Sequence, residues 1–230
     1  MALFIVTDRY FITGTDTDAG KTVATCALLQ SARRQGGMTV GYKPVASGCI
    51  ATPQGWRNSD ALALAANSSL TLPYDQINPL AFGEPTSPHI ASRDENRPIH
   101  ASMLSAGLRR LESKADWVFV EGAGGWFTPL SDSLSFAQWV TQEQLPVILV
   151  VGLKLGCINH ALLTALAVKQ AGLPLAGWIA NNLSEKVHRP TEYLDTLRQR
   201  LEAPLLGVIP WLQDPGNDTL AEYLDVSLLK

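Results

Sequence analysis

Gly14-Thr15-Asp16-Thr17-Asp18-Ala19-Gly20-Lys21-Thr22 decides how the rest of the chain is read. The apolar stretch Tyr10–Thr13 leads into it, and a helical pattern, Lys21–Gln35, leaves it and stops at Gly36-Gly37. Glycines let the backbone curl so that successive N–H groups face one anion, and the helix N-terminus adds partial positive charge. Lys21 then reaches the outer phosphates, and the Thr22 hydroxyl is placed to hold Mg²⁺. Five residues separate Gly14 from Gly20, one more than the common phosphate-loop spacing. Thr15 stands where the usual first glycine would be.

Working outward, short apolar bursts alternate with helical patterns. Strands are expected at Tyr10–Thr13, Thr39–Tyr42, Trp117–Glu121, Val147–Gly152, Leu175–Ala180 and Leu205–Ile209. Several are continuous apolar runs, as strands covered on both faces must be. Helices are expected at Lys21–Gln35, Asp60–Asn67, Ala101–Ser113, Ser135–Glu143, Cys157–Ala171 and Thr191–Leu201, with Asn58 or Ser59 capping the second. This alternation predicts an α/β fold, a mostly parallel sheet with helices on both faces and a ligand beyond the carboxyl ends of its strands. No repeat or low-complexity linker divides residues 1–230, so one domain is expected. Residues 1–9 read as an extra edge segment, and Asn67–Pro98 as an ordered excursion.

Composition narrows the function. A net charge of −3 gives no basic footprint for nucleic acid or an anionic membrane. The longest strongly apolar run, Leu145–Leu153, is too short to span a bilayer. Hydrophobic residues at 46% exclude a disordered chain, and 17% charged residues suggest surface covered by a partner. Three widely spaced cysteines make neither a disulfide framework nor a zinc site, so a reducing cytoplasm is expected.

Three further stretches carry candidate chemistry. Trp117-Val-Phe-Val-Glu121 ends a buried strand in a carboxylate suited to Mg²⁺, and Gly122-Ala-Gly-Gly125 brings backbone close to substrate or to a neighbouring element. Gly41-Tyr-Lys-Pro-Val-Ala-Ser-Gly48 puts Lys43 just past a strand end, as a phosphoryl charge donor or a solvated loop lysine. Asp60 is a second magnesium carboxylate or a first-turn dipole acid. Lys154-Leu-Gly-Cys-Ile-Asn-His160 offers helix-start N–H groups to a carboxylate. Cys157 beside His160 lacks the third group a thiol nucleophile needs, and a small residue at a tight helix start is the plainer reading.

Assembled, these stretches closely resemble the dethiobiotin synthetases, a phosphate-loop NTPase-type family. The matching blocks are Gly14–Thr22, Gly41–Gly48, Asn58–Leu62, Glu84–His89, Val120–Trp126, Gly156–His160, Trp178–Asn181 and Gly207–Trp211. The family shares the longer loop. The resemblance implies a sheet of about seven strands, a homodimer, and a reaction of ATP, CO₂ and 7,8-diaminononanoate that closes a cyclic urea. Carried over, Thr22, Asp60 and Glu121 are the expected metal ligands, and Thr15, Lys21 and Lys43 the catalytic residues. ATP is expected on Asp18, Ala19, Gly20, Lys21, Thr22, Val23, Asp60, Glu121, Gly124 and Asn181, with Pro210, Trp211 and Leu212 flanking adenine. Ser47 contacts the substrate, and Cys157, Ile158 and Asn159 hold its carboxylate from the other subunit. Asp18 stands where members often carry Glu. The alternatives are an ATP-driven dimeric switch, with no evident reason to carry Lys43–Ser47 and Gly156–His160, and an amide-forming synthetase, for which a glutaminase module is lacking.

Overall fold

Strand β1 (Asp8–Gly14) lies inside the sheet, with parallel neighbours on both edges, and delivers the phosphate loop to helix α1 (Lys21–Arg34). The computed structural model describes residues 7–215 and 219–229. Asp8 and Arg9 open β1 itself; of the expected edge segment, residues 1–6 lie outside the described part.

The chain continues through β2 (Thr39–Tyr42), β3 (Val45–Ala46), an antiparallel hairpin of β4 (Ile50–Thr52) and β5 (Gly55–Arg57), α2 (Ser59–Asn67), α3 (Tyr74–Ile77), β6 (Leu80–Ala81) and α4 (Pro88–Asp94). Then come α5 (Ala101–Glu112), β7 (Trp117–Gly125), α6 (Phe136–Glu143), β8 (Val147–Leu153), α7 (Cys157–Gln170), β9 (Leu175–Asn182), α8 (Pro190–Arg200) and β10 (Leu205–Ile209). Two 3₁₀ turns, Leu220–Tyr223 and Val226–Leu228, close the fold against α1 and β10. The expected excursion over 67–98 is ordered, as α3, β6 and α4.

Among the described residues the main sheet has six parallel strands, in the order β10-β9-β8-β1-β7-β2, where the resemblance implied about seven. The chain leaves the sheet after Tyr42 because Pro44 has no N–H to continue the ladder. The next extended pair, β3, instead forms a separate two-stranded ladder with β6.

Side-chain alternation along β8 explains its unbroken apolar sequence. Leu149, Val151 and Leu153 pack with Trp178, Ala161 and Leu197 on the α7–α8 face. Ile148 and Val150 join Phe11, Phe136 and Trp139 in the larger core on the other face. Each large side chain fully buried in this way stabilises the fold by about 1.5–3 kcal/mol.

Candidate active site

The ends of β8 and β9 meet the loop that joins β1 to α1. Gly20, with φ +90, is the residue before α1, and no side chain caps the helix, so its first-turn N–H groups are left for an anion. A Cβ on Gly20 would also stand 1.9 Å from Asn181 Nδ2, so both the turn and the neighbour demand glycine here. Asn181 Nδ2 donates to Ala19 O at 3.2 Å and ties the loop to the end of β9. Lys21 is buried, and its Nζ donates to Asp16 O at 3.1 Å. Burial, with Lys43 nearby, lowers its pKa.

Lys43 is not a solvated loop lysine: it is 3% exposed. Its ammonium donates to Glu121 Oε1 at 2.6 Å and pairs with Asp60 Oδ2 at 2.9 Å. Burial alone would lower its pKa, but the two carboxylates outweigh that and hold it above the ordinary lysine value. Desolvation raises and the Lys43 ammonium lowers the Asp60 pKa; the net direction is down. Thr22 Oγ1 donates to the same Glu121 Oε1 at 2.9 Å. Glu121 is fully buried, and its Oε2 has no hydrogen-bond partner among the described residues.

Two local devices set this geometry. Asn58 Oδ1 accepts from Ala61 N–H at 3.2 Å, capping α2 and fixing Asp60 in its first turn, while Asn58 Nδ2 donates to Ser47 O at 3.4 Å. Strand β7 runs past Glu121 to Gly125, passing Gly122 against the Phe11 ring, where a Cβ would come within 2.7 Å. That answers what the glycines lie against: a core aromatic at Gly122, and Thr128 with the cleft at Gly124.

The cleft has a volume of about 380 Å³ and brings together Asp18, Gly20, Lys21, Thr22, Val23, Lys43, Ser47, Asp60, Glu121 and Gly124. Thr17, Asn58 and Ala123 line it as well, although the sequence reading did not assign them to it. Thr15 does not line it: its N–H donates to Val150 O at 2.9 Å, and its hydroxyl is buried without a partner among the described residues. A hollow of about 160 Å³ collects Val23, Asn181, Pro210, Trp211 and Leu212, together with Asn182, whose buried Oδ1 has no partner among the described residues. Ala19 is buried beneath the loop, and Cys157, Ile158 and Asn159 line neither space. Lys154, which precedes that turn, makes a 3.0 Å ion pair with Asp16 of the loop.

A hydroxyl and two carboxylates, one with an unpartnered buried oxygen, fit a hard cation that completes its shell with phosphate and water. No group of three or more His, Cys, Asp or Glu able to hold a metal occurs among the described residues, so no all-protein metal cage is present there.

A family model described as an AAA domain matches residues 8–219. Solved structures share the fold: MinD of Pyrococcus horikoshii, in complex with Mg-ADP, gives a TM-score of 0.52 at 18% identity, covering 96% of this chain and 88% of that one. The signal recognition particle receptor FtsY of Elizabethkingia anophelis gives 0.53 at 12%, with 97% of this chain spanning 65% of the receptor. Sequence relatives are much nearer. ATP-dependent dethiobiotin synthetase BioD 1 of Salmonella typhi is 66% identical over 98% of this chain and 99% of its own length. BioD 1 of Escherichia coli K12 is 63% identical over 96% and 99%, and BioD of Yersinia pestis 60% over 98% and 96%. Agreement of this depth along both lengths leaves no part of the fold or cleft to a different family, and the chain belongs to the ATP-dependent dethiobiotin synthetases.

Proposed function

We propose that this α/β domain uses ATP to carboxylate 7,8-diaminononanoate with CO₂ and close the cyclic urea, releasing ADP and phosphate. One substrate amine adds CO₂ to give a carbamate. A carbamate oxygen attacks the γ-phosphorus, the bond to ADP breaks, and a carbamic-phosphoric anhydride forms. The second amine attacks its carbonyl carbon and expels phosphate. No protein nucleophile is required.

The convergence of buried Lys43 with Asp60, Glu121 and Thr22 beside an uncapped helix start carries this reading. Lys21 and the α1 N–H groups bind the outer phosphates, and Lys43 opposes the charge that accumulates as the phosphoryl group transfers. Thr22, Asp60 and Glu121 would hold Mg²⁺, which supplies charge neutralisation at the phosphates. Ser47 flanks the reacting end of the substrate, Gly124 borders ATP, and Asn181 with Pro210–Leu212 flanks adenine. Asp18, exposed at φ +59, lies on the nucleotide rim.

The working form is a homodimer in the cytoplasm. Leu155 is 90% exposed, and Leu163 and Leu166 more than half exposed, along one side of the α7 region. Apposing these faces would cover them and bring Cys157–Asn159 of one subunit to the substrate carboxylate of the other. No helix among the described residues is long and apolar enough to cross a membrane. A turnover assay with diaminononanoate, bicarbonate and MgATP should yield cyclic urea and ADP in equal amounts; ADP without urea would leave the ATP-driven switch.

A further inference from the structure

We infer that Lys43 and a divalent cation compete for the same carboxylates, so that Mg²⁺ enters the cleft with nucleotide phosphates and not ahead of them. The inference rests on the proposed metal site at Thr22, Asp60 and Glu121.

The ammonium of Lys43 already bridges those acids as a cation would, 2.6 Å from Glu121 Oε1 and 2.9 Å from Asp60 Oδ2. It reaches little else: its other contact is Gly122 O at 3.5 Å, too long for a strong bond. Glu121 Oε1 also accepts from Thr22, so the ammonium and the hydroxyl share one oxygen. The charges that meet here balance without any ligand, Asp60 being the most exposed of them at 39%. Asp60 and Glu121 supply two negative charges, and Lys43 and Lys21 two positive ones; Asp18, the other acid of the cleft, is exposed to solvent.

A bare divalent ion would add two positive charges to a balanced cluster around an ammonium only 3% exposed, where repulsion is screened less than at an open surface. Phosphates arriving with the ion reverse this. They bring the negative charge that balances the ion, so that Lys43 can move off the carboxylates without being stranded among positive charges while the ion takes its place. The lysine thus reserves the metal ligands until the substrate that needs them is present.

Mn²⁺ is the probe, titrated into the full chain with and without ADP, with free Mn²⁺ read by electron paramagnetic resonance and corrected for Mn²⁺–ADP in solution. Wild type should bind Mn²⁺ alone at least about tenfold more weakly than with ADP, and Lys43→Met should tighten binding of Mn²⁺ alone by about tenfold or more. Lys43→Arg, which keeps the charge, should preserve the gap. If Lys43→Met fails to fold, Lys21→Met removes the other buried cation without touching either acid and should tighten Mn²⁺ alone by a smaller factor. Wild-type binding of Mn²⁺ equally tight with and without ADP, or a folded Lys→Met variant that gains nothing, would overturn the competition. If Thr22→Val and Asp60→Asn leave Mn²⁺ binding with ADP unchanged, the metal site itself is wrong and the inference falls with it. If they abolish that binding while removal of the lysine charge gains nothing, the metal site stands and only the competition fails.

Discussion

Lys43 and Lys21 are both buried cations, yet they face different partners, and their loss should read differently. Lys43→Ala should lower turnover by about 10²–10³, as loss of one preorganised charge donor does, with little change in nucleotide binding by calorimetry. Equal losses in both would make Lys43 a ground-state phosphate ligand. Lys21→Ala should stay impaired at any Mg²⁺ concentration, whereas Thr22→Val should recover part of its activity in excess Mg²⁺; identical metal responses would contradict that division. The cysteines behave oppositely. Burial raises the pKa of Cys26, Cys49 and Cys157, and for Cys157 it outweighs the hydrogen bonds at the start of α7. A raised thiol pKa means less thiolate at a given pH. The native protein at pH 8 should therefore react slowly with a thiol reagent and yield all three thiols rapidly in denaturant. Fast reaction of native Cys157 would revive the nucleophile reading.

At the scale of elements, α2 shows how a cap can serve a site. Asn58→Ala removes the bond to Ala61 N–H and should cost about 1 kcal/mol, a fall in Tm of about 2–4 °C. Activity should fall further than that loss explains, because Asp60 and the Ser47 loop hang on the same side chain; Asn58→Asp should restore the cap but not the bond to Ser47 O. An Asn58→Ala variant with lowered Tm and full activity would show that the cap serves the helix alone. The elements also mark what was legible in the sequence. β2 and β10 match residue for residue, because Thr39–Tyr42 and Leu205–Ile209 are bounded by turn or proline signals. The helix over 135–143 starts one residue late because Ser135 is its cap. β7 and β9 run on through Gly122–Gly125 and Asn181–Asn182, residues poor in strand propensity that are held by pairing with β1 and β8. The hairpin β4–β5 and the ladder β3–β6 have two or three residues per strand, too few for a period to show. In the site, motif spacing singled out Lys43, Asp60 and Glu121, which line one cleft, whereas Thr15 does not line it and Thr17, three residues nearer α1's start than Gly14, does.

At the scale of the whole molecule, the proposal of composite sites makes a statistical prediction. Lys21→Ala and Ile158→Pro should each be inactive, the second once its fold and dimerisation are verified. Mixed in equal amounts with free subunit exchange, half the dimers carry both lesions in one site and none in the other. About a quarter of wild-type activity should return if the separated lesions act independently. No recovery despite demonstrated exchange would place each site within one chain. The sheet order bears on how the chain is made. β1 leaves the ribosome first, yet its partners β7 and β8 begin about 100 and 130 residues later. At about 5–20 residues per second, Phe11 and Ile12 wait on the order of 5–25 s before both edges of their strand can be occupied. During synthesis a strand whose last five residues are buried in the finished enzyme is thus a bare apolar ribbon, and the nascent chain, rather than the mature protein, is where chaperones have most to do.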